Sequence, residues 1–164
     1  SKIVVPGAGF LLNNEMGDFN AGPGLTDETG LVGTEPNLAG PRKRMLSSMT
    51  PTIVVRTGRP YLVTGSPGGR TIPSTVLLTL LNVLDFGMNA QEAVDAPRFN
   101  HQWLPDVIRF ERHGLSADTV EALAARGHKD QEVEQQGVAE AILVGELLEG
   151  GCDRRAPDGA AIGR

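Results

Sequence analysis

Three short stretches carry groups that could act on a small charged substrate. Asn13-Asn14-Glu15-Met16-Gly17-Asp18-Phe19 sets two carboxylates three residues apart beside two amides. That combination could grip an ammonium group, although acids in loops more often simply face water. Leu46-Ser47-Ser48-Met49-Thr50-Pro51 pairs two hydroxyls, which could bind a carboxylate or merely satisfy turn backbone, the commoner role. Gly65-Ser66-Pro67-Gly68-Gly69 joins a β-rich run to an apolar helix. The N–H groups of Gly68 and Gly69 are unobstructed by side chains, and the helix N-terminus adds positive potential, so an oxyanion could sit there. A plain tight turn is the commoner use of such glycines.

Other chemistries find no support. His101, His113 and His128 are scattered without paired-ligand spacing, and Cys152 stands alone, so neither a metal site nor an intrachain disulfide is expected. Gly7-Ala8-Gly9 has Leu12 where a dinucleotide fingerprint needs its third glycine, and the Gly65–Gly69 stretch lacks the Lys-Ser/Thr ending of a phosphate loop. No cofactor is expected. There is no G-x-S-x-G elbow or S-x-x-K. His101, beside Trp103, reads as a hydrogen-bonded histidine in a packed loop. A net charge of -5 argues against a nucleic-acid partner. Arg42-Lys43-Arg44 reads as a solvated loop. No apolar run is long enough to span a bilayer.

The positioning elements follow from turn signals and periodicity. Ile3 to Val5 and Phe10 to Leu12 read as short strands, followed by a long polar loop over 13–44 of a length that is usually functional or mobile. Thr52 to Arg56 and Tyr61 to Thr64 read as a hairpin around Thr57-Gly58-Arg59-Pro60. A helix over 73–86, apolar around much of its circumference, is expected to be deeply buried. Asn89 with Glu92 suggests a capping box for a short helix through Asp95. A strand over 107–111 and a helix from Ser116 to Gly127 follow, then a hairpin of 138–144 and 147–148 around Gly145-Glu146. The tail from Gly150 reads as polar and irregular. The pattern predicts an α+β class in a single domain over 1–164. Hydrophobic content of 40% and charged content of 21% are ordinary for a globular chain. Ser1-Lys2-Ile3-Val4-Val5 reads as mid-domain strand, so the natural chain is expected to extend upstream, with any address signal there.

Taken in order, Phe10 to Phe19, Leu46 to Thr52, Gly65 to Gly69, Ala96-Pro97-Arg98-Phe99, His101 to Asp106 and Pro157-Asp158-Gly159-Ala160-Ala161 resemble the small subunit of gamma-glutamyltranspeptidases over nearly the whole chain. The resemblance implies an N-terminal nucleophile hydrolase with an αββα sandwich, incomplete because its nucleophile-bearing first strand would lie upstream of Ser1. In that family a precursor cuts itself, and the new N-terminal Thr of the small subunit attacks the substrate with its own amine as base. Residue by residue, the resemblance implies that Glu15 and Asp18 hold the substrate α-amino group. It implies that Ser47 and Ser48 hold the α-carboxylate, and that Gly68 and Gly69 stabilise the oxyanion. Gly17 stands where Asp is common in relatives, a difference expected to alter a turn rather than the chemistry.

The activity so implied is transfer or hydrolysis of γ-glutamyl groups from glutathione and related amides. The implied partner is the large subunit of the same precursor, which contributes an arginine, and the implied location is periplasmic or extracellular. Cephalosporin acylases and poly-γ-glutamate transpeptidases of the same fold remain alternatives. So does a non-catalytic fragment, expected to be poorly stable or self-associating because an open sheet edge and apolar surface would be exposed.

Overall fold

The computed structural model describes residues 3–20, 22–24 and 35–163. The chain divides into two compact units at Ser47/Ser48, and each is described by itself. Part of the long polar loop, residue 21 and residues 25–34, lies outside the described residues.

In the first unit the two expected strands reduce to one antiparallel bridge between Val4 and Leu11. It is flanked by Val5 N–H to Phe10 O at 3.0 Å and Leu12 N–H to Ile3 O at 2.9 Å. A single 3₁₀ turn spans Glu15–Asp18, and another spans Glu35–Asn37. A parallel bridge joins Asn20 to Leu38. Much of the described part of this unit is exposed, so polar ties matter more here than a core.

The second unit is α+β. Its strands are β1 (Thr52–Arg56), β2 (Arg59–Gly65), β3 (Phe99–Asn100), β4 (Ile108–Glu111), β5 (Asp130–Val133), β6 (Glu140–Val144) and β7 (Leu148–Cys152), and its helices are α1 (Ile72–Leu84), α2 (Ala90–Asp95) and α3 (Ala117–Ala125). Four strands form an antiparallel sheet in the order β1-β2-β6-β7, and β3-β4-β5 form a second sheet in which β4 and β5 run parallel. The first hairpin turns more tightly than expected. Arg56 pairs with Arg59, so the loop is only Thr57-Gly58, both at positive φ, as a primed two-residue turn requires. The register slips between Val54 and Val55, opposite Pro60, which has no N–H to donate.

One face of the four-stranded sheet is the core. Leu62, Ala141, Val83, Ala90, Ala93, Val94 and Ala139 bury together, with Val54, Leu80 and Leu143 against them. Both helices pack there. The Asn89–Glu92 capping box that starts α2 is present in both directions, Glu92 N–H to Asn89 Oδ1 at 2.8 Å and Asn89 N–H to Glu92 Oε2 at 3.0 Å. α3 ends at Ala125, with Arg126 as its C-cap just before Gly127, as expected.

Three expectations change. α1 is not buried around most of its circumference: Ile72, Thr75, Val76, Thr79 and Val83 are buried, but Leu77 and Leu84 are 53% and 40% exposed. Only one of its faces meets the sheet. The tail is not irregular at Gly150, because β7 continues to Cys152. β5 was not expected at all, since Asp130-Gln131-Glu132-Val133 shows no alternation of apolar residues and owes its strand form to pairing with β4.

Leu62, fully buried at the centre of the core, gives a direct test. In the full-length protein Leu62→Ala should lower stability by roughly 2–5 kcal/mol, seen as a fall in denaturant midpoint at constant slope. An unchanged midpoint would contradict this core.

Candidate active site

β2 delivers the chain to Gly65, and α1 begins at Ile72. Between them a 3₁₀ turn covers Gly69–Thr71. Gly68 has φ +144° and Gly69 +57°, conformations that residues with a Cβ rarely adopt. Thr71 closes the turn on Gly68 O with both its N–H, at 3.2 Å, and its Oγ1, at 3.0 Å. Among the described residues no acceptor is assigned to the N–H of Gly68 or of Gly69, and both residues are exposed. Two free donors side by side ahead of a 13-residue helix make an anion-receptive corner.

In the first unit Glu15 and Asp18 are the two ends of one 3₁₀ turn. Side chains at i and i+3 nearly eclipse in such a turn, so the two carboxylates share a side. Both residues are half-buried. Glu15 N–H donates to Asn13 Oδ1 at 3.1 Å and Gly17 N–H to Asn14 O at 3.0 Å. Gly17 needs no special backbone, and a Cβ there would meet only Asn14 Nδ2, at 3.5 Å. The turn therefore accommodates a side chain at 17 without rearrangement.

Asn37 holds this turn. Its amide is 8% exposed; Nδ2 donates to Asp18 O at 2.8 Å and Asn20 Oδ1 at 3.0 Å, while Oδ1 accepts from Leu46 N–H at 2.8 Å. One buried amide thus ties the Asp18 turn to the residue before Ser47. Ser47 itself is exposed. Ser48 opens the second unit, half-buried, with its carbonyl accepting from Thr50 Oγ1 at 2.9 Å. Gly68, Gly69 and Ser48 thus belong to one unit, and Glu15, Asp18 and Ser47 to the other.

The second unit also holds a cluster of four charges, of which Arg98, Glu111 and Asp153 are buried and Arg155 half-buried. Arg98 and Asp153 are 2% and 0% exposed and meet at 2.6 Å. Arg155 bonds Asp153 Oδ1 at 2.9 Å, Glu111 Oε1 at 2.8 Å and Glu111 Oε2. The backbone completes the set. Gln136 N–H donates to Glu111 Oε1 at 2.6 Å, Gln136 O accepts from Arg98 Nη1 at 2.8 Å, and Ala139 N–H donates to Asp153 Oδ2 at 2.7 Å. Burial pushes the Asp153 carboxyl up, but hydrogen bonds from Arg155, Ala139 and Arg98 outweigh it and hold the group below its ordinary range. Burial likewise lowers Arg98, and there it prevails over the help from Asp153. Arg155 is also opposed by burial, yet its bonds to Glu111 and Asp153 raise it.

A family model described as Gamma-glutamyltranspeptidase matches residues 1–163. The chain belongs to the gamma-glutamyltranspeptidase family. It is 50% identical over 163 residues to the glutathione hydrolase proenzyme of Escherichia coli (strain K12), covering 98% of this chain but 28% of that protein. The chain therefore spans a little over a quarter of the relative's length. The crystal structure of a mutant Helicobacter pylori gamma-glutamyltranspeptidase shares 45% identity and a TM-score of 0.84, over 94% of this chain and 86% of that one. Cephalosporin acylase from Bacillus halodurans shares 28% identity and a TM-score of 0.73, over 93% of this chain and 27% of that one. The α+β, N-terminal nucleophile hydrolase fold expected from the sequence stands.

Within this chain, the sequence motifs missed Asn37, Glu111, Gln136, Asp153 and Arg155. Arg98 was quoted only as part of a motif. None has a spacing that marks it, since each finds its partners through long-range folding. By contrast, the hydrogen-bonded reading of His101 holds. Its Nε2 lies 3.0 Å from Asp106 Oδ1, and Nδ1 accepts from Trp103 N–H at 3.3 Å. That loop is not packed as expected, because Trp103 is 70% exposed. Arg42, Lys43 and Arg44 are exposed, in keeping with a solvated loop. Among the described residues no helix is long and apolar enough to cross a membrane.

The cluster predicts an acid limit to stability. Asp153 has a folded-state value below its unfolded one, so the unfolded chain takes up the proton first as pH falls. Its contribution is full above the ordinary aspartate value of 3.8 and is lost as pH drops through the folded-state value. Asp153→Asn in the full-length protein should cost roughly 3–5 kcal/mol near neutral pH, by stranding the arginines. It should also flatten the acid dependence. Equal denaturation midpoints for parent and variant at neutral pH would contradict the role given to this carboxylate.

Proposed function

We propose that the protein containing this chain transfers or hydrolyses γ-glutamyl groups of glutathione and related amides through a γ-glutamyl-enzyme intermediate. This chain supplies the substrate-binding groups and the oxyanion hole. The observation that carries the reading is the pair of N–H groups at Gly68 and Gly69, without an assigned acceptor among the described residues, ahead of α1 in a chain of this family. A tetrahedral intermediate puts negative charge on the former carbonyl oxygen, and two preset donors stabilise it with little reorganisation.

The remaining groups match the other end of such a substrate. A γ-glutamyl group presents one ammonium and one carboxylate. Glu15 and Asp18, on one side of a turn, suit the ammonium. The hydroxyls of Ser47 and Ser48 suit the carboxylate. Charge-assisted contacts of this kind fix the amino-acid end and so place the scissile carbonyl, which is the positioning part of catalysis. The nucleophile in this reading is a threonine freed by self-cleavage of a precursor, and the partner is the large subunit of that precursor with its arginine for the α-carboxylate. The threonine amine then takes the hydroxyl proton and returns it to the leaving amine, and water or an acceptor amine releases the γ-glutamyl group.

The paired acids favour this over an acylase acting on substrates without an α-ammonium group, because a carboxylate pair facing an uncharged substrate would remain unneutralised. In the complete enzyme Asp18→Ala should lower kcat/KM for a γ-glutamyl anilide by about 10- to 100-fold, the value of one charge-assisted contact. Near-parental kcat/KM would remove Asp18 from the site.

A further inference from the structure

We propose that Gly137 is a positioning residue for the Gly68–Gly69 corner, setting the direction of its N–H groups by backbone contact; the inference rests on the oxyanion reading of those two glycines. Gly137 sits in the left-handed region at φ +65°. A Cβ built on it would lie 2.6 Å from Thr75 Oγ1, 3.0 Å from Ser66 Oγ and 3.1 Å from Thr75 Cγ2. Gly68 in turn faces the Gly137 backbone: a Cβ on Gly68 would come within 3.1 Å of Gly137 Cα and 2.8 Å of Thr71 Oγ1. Neither glycine has room for a side chain, Gly68 because the Gly137 backbone lies against it and Gly137 because Thr75 and Ser66 do.

The neighbouring hydrogen bonds make this contact a fixed one. Val138 N–H donates to Ser66 Oγ at 3.1 Å and, at 3.4 Å, to Pro67 O, and Ser66 Oγ donates to Pro67 O at 2.5 Å. On its other side the same short segment is tied to the buried charges, Gln136 through Glu111 and Arg98, and Ala139 through Asp153. Residues 136–139 thus form a strut between the charge cluster and the loop that ends at the oxyanion donors. Hydrogen-bond strength falls steeply with misdirection. A strut displaced by one methyl group should therefore impair transition-state stabilisation while leaving the α-amino and α-carboxylate contacts of the substrate alone.

The test uses the complete processed enzyme, with cleavage confirmed by intact mass, and a γ-glutamyl anilide as substrate. Gly137→Ala should lower kcat by about 10- to 100-fold with KM changed by less than about twofold. If the cause is the methyl group pressing on Thr75, the double variant Gly137→Ala/Thr75→Ala should regain at least about threefold in kcat. A glycine needed only for its positive φ would show no such rescue, and that result overturns the proposal. So does a Gly137→Ala enzyme with parental kcat. Gly68→Ala in the same series separates the two layers of the argument. If it lowers kcat while Gly137→Ala does not, only the positioning role fails; if neither lowers kcat, the oxyanion reading fails as well. Should Gly137→Ala not mature, Ser66→Ala gives an independent arm, because it removes the acceptor that ties Val138 to the loop. A kcat loss of about 3- to 10-fold at constant KM and constant thermal midpoint is expected there, and parental kcat overturns the proposal.

Discussion

Arg98, Arg155, Glu111 and Asp153 can be buried together only if all four arrive with their partners. Each ion removed from water costs several kcal/mol, and the attraction between them offsets that cost only when geometry and hydrogen bonding are nearly complete. The two positive and two negative side chains cancel, and backbone groups of Val94, Ala96, Gln136 and Ala139 take up much of the remaining capacity. Arg98 Nε and Gln136 Oε1 stay buried without partners among the described residues, so the cluster is not perfectly satisfied. Its cost and its specificity have the same origin, since misplacing any one member strands the others. The end of α2, β4, the segment before β6 and the chain after β7 are thereby held to one arrangement.

That arrangement bears on the role proposed for Gly68 and Gly69, because an oxyanion hole is directional. In that proposed role the two N–H groups would help a developing negative charge only if they already pointed at it, since reorientation during the reaction would forfeit the gain. An ammonium group held by carboxylates is more forgiving, because attraction between charges falls slowly with distance and depends little on angle. The acids of the first unit ride on a single 3₁₀ turn secured by the neutral amide of Asn37, whereas the glycine corner is braced by a hydrogen-bonded segment anchored in buried charge.

The remaining surface of the second unit is less demanding. The face of the four-stranded sheet opposite the helices exposes Ile53, Val55, Ile142 and Leu148. Near it lies an open apolar cleft of about 960 Å³ lined by β2, β6, β7 and residues 160–163. It has few convergent polar groups, and none of the proposed substrate-binding residues lines it.

What the sequence determined by itself was local in its physics. The capping box at Asn89 and Glu92, the glycine-bearing first hairpin, the apolar run that forms α1 and the paired glycines before it are each written within a short stretch, because caps, turns and helix formation act over that range. The proposed site residues stand out in the sequence for the same reason: Glu15 with Asp18, Ser47 with Ser48, and Gly68 with Gly69 are close neighbours in the chain. Tertiary structure alone decided the rest. β5 is a strand because β4 lies beside it, and α1 buries one face because the sheet covers only one. Residues 153 and 155, in what looked like a polar tail, became part of the buried charge cluster because Arg98, which pairs with Asp153, and Glu111, which pairs with Arg155, lie 55 and 44 residues away in the chain. A single charged residue carries no sign of whether water or an opposite charge will surround it, and only the folded chain settles which.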